Sequence, residues 1–267
     1  MNTRIYDHEL ITGEIEFDRF EYFPATGSVT GLINNEKSTI ASDLSRIFLL
    51  QVEAIKKFCK DDFTIEIIDN SSIEPLAEAI RYHAKQQEVS YIRTHSVIQN
   101  GSESHSFAAN MAYHRFKDLD YDVLFYLDHD AVPVKPFSCA EILGNEFLFA
   151  GMGQGKNGKT YYWPGLFFFK NKEVDSNLID FSPAPGLDTG GNLYHAIDHY
   201  GKDKCIFFNE EYYQNPYFTG RLYNHYAMIN DGMFLHAIAG SNWANIEANE
   251  ERINTLVTVI REKIDEK

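Results

Sequence analysis

The chain has 267 residues, 44% of them hydrophobic and 24% charged, and this balance excludes an intrinsically disordered protein. Its net charge of −15, from 39 acidic and 24 basic side chains, predicts no binding to nucleic acid or to anionic membranes. Three dispersed cysteines, no signal-peptide pattern and no run of about 18 apolar residues predict a cytoplasmic protein without disulfides or a transmembrane segment.

Strand and helix patterns alternate in the first half of the chain. The predicted elements there are strands at 28–33, 63–68, 89–93 and 121–127, and helices at 42–60, 75–87 and 104–117. The segment 121–127 (YDVLFYL) lacks polar alternation, which is typical of a strand buried on both faces of a parallel sheet. Strand–helix–strand units of this length join parallel neighbours. We therefore expect an α/β fold with a mostly parallel central sheet flanked by helices.

The second half predicts a different, mixed arrangement. Its predicted elements are strands at 146–152 and 161–170 joined by a glycine-rich loop at 153–158, a helix at 191–200, an apolar strand region at 226–237 and an amphipathic helix at 250–267. The last helix is expected to pack on the domain. A helix lying on a membrane surface is the alternative, which its mixed acidic and basic polar face disfavours.

The strongest chemical signal is the motif Asp128-His129-Asp130, which directly follows the buried strand. Open α/β sheets bind ligands at the carboxyl ends of their strands. Two acids one residue apart can address one hard cation, and Mg²⁺ or Mn²⁺ prefers carboxylate oxygen and also binds phosphate oxygen. A solvated acidic turn is the alternative interpretation.

Three segments together resemble the nucleotide-sugar-dependent glycosyltransferases with the GT-A fold, family-2-like members most of all. Besides Asp128-His129-Asp130, the run 65–72 (IEIIDNSS) is similar to that family's second strand and its V-D-N-S-S turn. The segment from Asn100-Gly101 to Asn110 is similar to its N-x-G…A-x-N segment. The resemblance implies a single GT-A-like, Rossmann-related domain over 1–267. It divides into a nucleotide-sugar-binding half at 28–137, an acceptor half at 138–248 and the C-terminal helix at 249–267.

The resemblance also implies a donor site and a metal site. The cation, Mn²⁺ or Mg²⁺, would be held by Asp128, Asp130 and a late histidine, His236, although a histidine packed in an aromatic strand is the alternative. The residues expected to contact the nucleoside diphosphate sugar are Asn34, Asp69, Asn100, His105, Asp128, Ser241 and Asn242. His105 departs from the family, which often has Arg or Lys at the corresponding place.

An inverting transferase requires a carboxylate that deprotonates the acceptor hydroxyl. Asp188, in the rigid turn 183–191, is the expected base, and a helix N-cap is the alternative role. Asp231 is the rival base, although a hairpin turn at 230–232 explains it more simply. Trp163 and Tyr162 are expected to line the acceptor side, with a core position as the alternative for Trp163. His195 and His199 have the spacing of zinc ligands, but exposed helical histidines are favoured.

The predicted function is therefore metal-dependent transfer of a sugar from a nucleoside diphosphate sugar to a hydroxyl of a glycan or related acceptor, with inversion. Two alternatives stay open on the sequence alone. One is a metal-dependent nucleotidyltransferase or hydrolase that uses the same acids. The other is a module that binds a nucleotide sugar without catalysis.

Overall fold

The computed structural model describes residues 36–70, 74–94, 101–212, 226–237 and 249–266. The helices are α1 (Glu36–Phe58), α2 (Glu74–Gln86), α3 (Gly101–Phe116), α4 (Cys139–Leu143), α5 (Tyr194–Tyr200) and α6 (Asn249–Asp265). The strands are β1 (Glu66–Asn70), β2 (Ser90–Thr94), β3 (Val123–Leu127), β4 (Ala131–Pro133), β5 (Phe149–Lys156), β6 (Lys159–Lys170), β7 (Cys205–Phe208), β8 (Glu210–Tyr212), β9 (Tyr226–Ile229) and β10 (Phe234–Ala237). The mixed α/β class is confirmed, and the strand predicted at 28–33 lies outside the described residues.

The described strands form three sheets. β1 and β2 form a parallel pair, a second sheet has the order β3-β6-β5-β7, and a third has the order β4-β10-β9-β8. Only the β1–β2 and β5–β7 pairs are parallel. The expectation of a mostly parallel sheet is therefore wrong for the described strands, because β3 pairs antiparallel with β6. An unbroken apolar pattern carries no information on the direction of the neighbouring strand.

The sequence predicts burial of both faces for the strand at 121–127, but only Leu124 of β3 is buried and its other residues are half-buried. Burial of both faces is found instead in β6, inside the second sheet. Leu166, Phe167, Phe168 and Phe169 of β6 are all fully buried. Leu166 and Phe168 belong to the core that includes residues of α1, α2 and α6, whereas Phe167 and Phe169 belong to the core that includes residues of α3 and α5. Successive side chains of a strand point to opposite faces, so four consecutive apolar residues serve two cores. Truncating one of these phenylalanines to alanine costs about 3–5 kcal/mol.

One segment predicted as a loop is mostly strand, and the hairpin turn considered at 230–232 is confirmed. Most of the glycine-rich segment 153–158 is strand, because β5 and β6 form one long hairpin that turns at Asn157 and Gly158, with φ of 53° and 73°. Positive φ at both positions is the signature of the Asn-Gly type I′ turn. The region 226–237 is likewise two strands joined at Asn230–Gly232, where φ is also positive.

The chain changes sheets at the acidic motif. β3 belongs to the second sheet and β4 to the third, and only residues 128–130 separate them. The third sheet places β10, from the end of the chain, directly beside β4. Residues about one hundred positions apart therefore meet at this crossing. Among the described helices, none is both long and apolar enough to cross a membrane.

Candidate functional site

The turn that carries Asp128 and Asp130 is fixed through its backbone by three different elements. The amide of Asp128 donates to the carbonyl of Gly165 at 2.8 Å. Gly165 directly precedes the part of β6 that pairs with β3. The amide of Ala237 on β10 donates to the carbonyl of Asp130 at 2.7 Å. Both ends of the turn are therefore held by strands, one in each sheet.

Gln51 of α1 supplies the third support, and sequence reasoning missed it. Its side-chain amide donates to the carbonyls of Asp128 at 2.5 Å and Ala131 at 2.7 Å. Gln51 is buried in the apolar stripe that contains Ile47 and Ile55. A single polar residue inside such a stripe was the available signal, because a buried amide requires hydrogen-bond partners.

Asp130 is buried, and its Oδ1 atom has no hydrogen-bond partner within the described parts of the chain. Burial raises the pKa of Asp130, because removal from water penalises the charged form, and the negative charge of Asp128 adds to this effect. The nearby His129 and His236 oppose it only in part. A buried carboxylate oxygen without a donor is a site that a cation can satisfy.

Asp128 is paired with a histidine of α3. Nε2 of His105 lies 3.0 Å from Oδ1 of Asp128. Burial alone would raise the pKa of Asp128, but the charge and hydrogen bond of His105, with the charges of His129 and His236, lower that pKa overall. Burial lowers the pKa of His105, and the charges of Asp128, Asp130 and Asp188 reverse this, so that its pKa is raised. His105 thus contacts an acid of the motif directly, whereas the sequence placed it against the nucleotide.

His236 lies on β10, where it is in register with Ala131, the residue after the acidic motif. Its Nδ1 atom is 3.1 Å from Oε1 of Glu210, and its ring contacts Trp163 with 4.9 Å between ring centroids. Burial lowers the pKa of His236, but the Glu210 hydrogen bond and the charges of Asp130, Glu210 and Asp128 raise it overall. The structure therefore brings the predicted third ligand close to both acids. Glu210 was missed because no pattern marked β8.

Asp188 is exposed and lies on a partly buried loop that is tied to the first turn of α3. Its Oδ1 accepts hydrogen bonds from the hydroxyl of Ser102 and from the amide of Thr189. The predicted N-cap alternative is wrong, because Gly190 is the N-cap of the 3₁₀ turn Gly191–Leu193 that precedes α5. The charge of Asp188 contributes to raising the pKa of His105. The Asp188 carboxylate is therefore near His105 and the acidic turn.

A cleft of about 1250 Å³ connects these groups. Its lining includes Asp128, Asp130, His105, Asp188, Trp163 and Asp69. The sequence predicted that Asp69 lies in a turn, but it is buried near the end of β1. There it accepts a hydrogen bond from the hydroxyl of Tyr91 at 2.6 Å. Trp163 covers the Cα of Gly165, where an added Cβ would lie 2.0 Å from the indole ring.

Two predicted site residues are not part of the cluster formed by Asp128, Asp130, His105 and His236. Tyr162 is fully buried, stacks on Phe167 and donates to the carbonyl of Ile206, so the expectation that it lines the acceptor side is wrong. Asp231 occupies the turn before β10, at the opposite end of that strand from His236. It is a hairpin residue, which corrects its assignment as the rival base. Asn34, Asn100, Ser241 and Asn242 lie outside the described residues.

The donor set around the turn fits a hard divalent cation in its chemistry. Asp130 offers an unpartnered oxygen, and Asp128 and His236 stand near it. Within the ranges that the structure describes, no three His, Cys, Asp or Glu side chains form a complete ligand set as they stand. Mg²⁺ and Mn²⁺ sites that act on phosphate compounds typically use one or two carboxylates and complete their shell with phosphate oxygens and water.

Comparisons of the chain with models of known protein families and with curated protein sequences find no match.

Proposed function

We propose that this chain is a metal-dependent glycosyltransferase that moves a sugar from a nucleoside diphosphate sugar to a hydroxyl of a glycan or related acceptor, with inversion. The observation that carries the proposal is the buried Asp130 oxygen without a partner, which lies beside Asp128 at the point where the chain changes sheets. The motif resemblance of residues 65–72 and 100–110 supports a nucleotide sugar as the ligand of that site.

Asp130, His236 and Asp128 are the residues that would hold Mn²⁺ or Mg²⁺, with diphosphate oxygens completing the ligands. When bound, the cation supplies Lewis-acid stabilisation of the negative charge that grows on the departing diphosphate. The protein around the turn is itself acidic, with Asp128, Asp130 and Asp188 in one cleft. Without a cation, this field would oppose a diphosphate leaving group.

The protein's own residues would bind and orient the two substrates. Asp69 and Asn70, at the end of β1, line the part of the cleft proposed for the nucleoside. Asn70 is held there by hydrogen bonds to Ser104 of α3 and from Thr94 of β2. Trp163 offers an indole edge on the acceptor side, where an aromatic platform suits the apolar face of a sugar.

Asp188 is the proposed general base. It lies in the second half of the chain, is exposed to solvent in the cleft and has its orientation fixed by Ser102 and Thr189. Its carboxylate would accept the proton of the acceptor hydroxyl as the oxygen attacks the anomeric carbon from the side opposite the diphosphate. A positioned base of this kind typically contributes 10²–10⁴-fold to the rate.

The test is acceptor-stimulated release of nucleoside diphosphate from a panel of nucleotide sugars in the presence of Mn²⁺. We expect release with the wild-type protein and none with Asp130→Asn. Asp198→Asn is the matched control, because this exposed aspartate of α5 does not line the cleft. Nucleotide release at the same rate with and without acceptor would favour a hydrolase or nucleotidyltransferase. Binding of a nucleotide sugar without turnover would favour a binding module.

A further inference from the structure

We propose that Glu210 is a positioning residue that orients the His236 ring so that its Nε2 atom faces the acidic turn. This inference rests on the proposed function, in which His236 is a ligand of the cation. Glu210 would act through His236 and would contact neither the cation nor the substrates.

The contact itself is direct and sheltered. The Nδ1–H group of His236 donates to Oε1 of Glu210 across 3.1 Å. The His236 side chain is 12% exposed and the Glu210 side chain 35% exposed. A hydrogen bond at a largely buried histidine is screened less by water than a surface pair. It can therefore select one ring orientation and one tautomer.

The register of the third sheet explains how Glu210 reaches His236. Tyr212, Ala227 and His236 are opposite one another on β8, β9 and β10. Glu210 precedes Tyr212 by two residues, so its side chain points to the same face of the sheet as His236. On β9, His236 is opposite Ala227 and Glu210 is opposite Ile229, so the glutamate side chain reaches His236 along the diagonal across β9.

Trp163 fixes the ring from another side. Its indole lies 4.9 Å from the His236 ring between centroids, with 39° between the planes. With Nδ1 engaged by Glu210, Nε2 is the ring nitrogen left to meet a cation. A carboxylate that accepts from the distal nitrogen of a ligating histidine fixes its tautomer and increases its basicity, and loss of such a partner weakens metal binding about 10–100-fold.

The experiment measures Mn²⁺ binding to the full chain, without nucleotide, by the electron paramagnetic resonance signal of free Mn²⁺. We expect Glu210→Ala to weaken Mn²⁺ binding about 10-fold or more. Glu210→Gln should lose less, because its amide oxygen still accepts from Nδ1–H. Glu211→Gln is the control, since Glu211 is the next residue of β8, points to the opposite face and is hydrogen-bonded by Asn209.

A double-mutant cycle separates positioning from a general effect on the fold. Once His236 is replaced by alanine, adding Glu210→Ala should weaken Mn²⁺ binding no further. Equal losses from Glu210→Ala with and without His236 would overturn the inference, and so would an unchanged Mn²⁺ affinity in Glu210→Ala. In either case, Mn²⁺ binding that still depends on Asp130 and His236 would leave the proposed function standing. A wild-type protein that does not bind Mn²⁺, even after a nucleoside diphosphate is added, would overturn both proposals.

Discussion

Replacing Asp130 by asparagine should stabilise the metal-free protein and destroy its response to Mn²⁺. The substitution keeps the shape of the side chain and removes the negative charge of a carboxylate. The Oδ1 atom of that carboxylate has no partner among the described residues. Burial raises the pKa of Asp130, so the charged form is the unfavourable one in the folded state. The variant is therefore expected to be more stable than the wild type at neutral pH without metal.

The size of the effect follows from the burial of this group. Because asparagine is also polar, the variant gains only the difference between burying a charged and a neutral group. An unsatisfied buried polar group costs about 1–3 kcal/mol, and a charged one costs more. In a chain of this length, 1 kcal/mol corresponds to about 2–4 °C in melting temperature. Taking about 1–2 kcal/mol, we expect Asp130→Asn to melt about 2–8 °C higher in EDTA. Free Mn²⁺ at 100 times its Kd adds about 2.7 kcal/mol to the wild type, which reverses the order of the two proteins.

The assay is thermal unfolding in EDTA and in a Mn²⁺ titration, with Asp198→Asn as the control that should change stability by less than about 1 kcal/mol. The advantage of Asp130→Asn in EDTA should also shrink as the pH falls through the raised pKa of Asp130, because protonation removes the same charge from the wild type. A variant that is less stable than the wild type in EDTA, or that gains as much from Mn²⁺, would refute this reasoning.

Three further predictions concern the surroundings of the turn. Asp188→Asn should lower turnover about 10²–10⁴-fold at saturating substrates with little change in melting temperature, and unchanged turnover would assign Asp188 a purely structural role. The pKa of His105 is raised and that of Asp128 is lowered. The stability lost in His105→Gln should therefore be largest between about pH 4 and 6.5, and it should decline as the pH rises through the raised pKa of His105. A constant loss from pH 5 to 9, measured by denaturant unfolding, would contradict the pairing. Gly190→Ala should destabilise the protein by more than about 2 kcal/mol in the same assay, because φ is 81° and a Cβ would lie 2.3 Å from a backbone carbonyl oxygen. Gly155→Ala is the control, since its added Cβ would meet no atom within 4 Å, and it should be nearly neutral.

Five of the six described helices could be predicted from the sequence because the signals that mark them are local, whereas the five-residue α4 was missed. The stripe at 42–60 and the early proline at 75 predicted α1 and α2, and the structure extends α1 to Glu36. Pairing directions could not be predicted in the same way. β3 and β6 are both apolar, and their antiparallel pairing depends on the hairpin between β5 and β6, which the sequence interpretation treated as a loop.

Residues of the candidate site were predictable where the signal is local. Asp128 and Asp130 follow an apolar strand directly, so motif and position coincide in the sequence. Gln51 and Glu210 reach the site from α1 and β8, and only the packing of distant elements brings them there. Tyr162 was misplaced because an aromatic residue beside glycines has the same pattern whether it lines a cleft or fills a core.

The acidic turn leaves its carboxylates available because other elements satisfy its backbone. Aspartates in turns commonly bond to their own nearby amides, which occupies the side-chain oxygens. In this turn the amide of Asp128 donates to Gly165, while Gln51 and the amide of Ala237 donate to backbone carbonyls of the turn. Each support comes from a different helix or sheet, so the turn keeps its shape without help from its own side chains. Asp128 can then face His105, and Asp130 retains a buried oxygen for a ligand from the cleft.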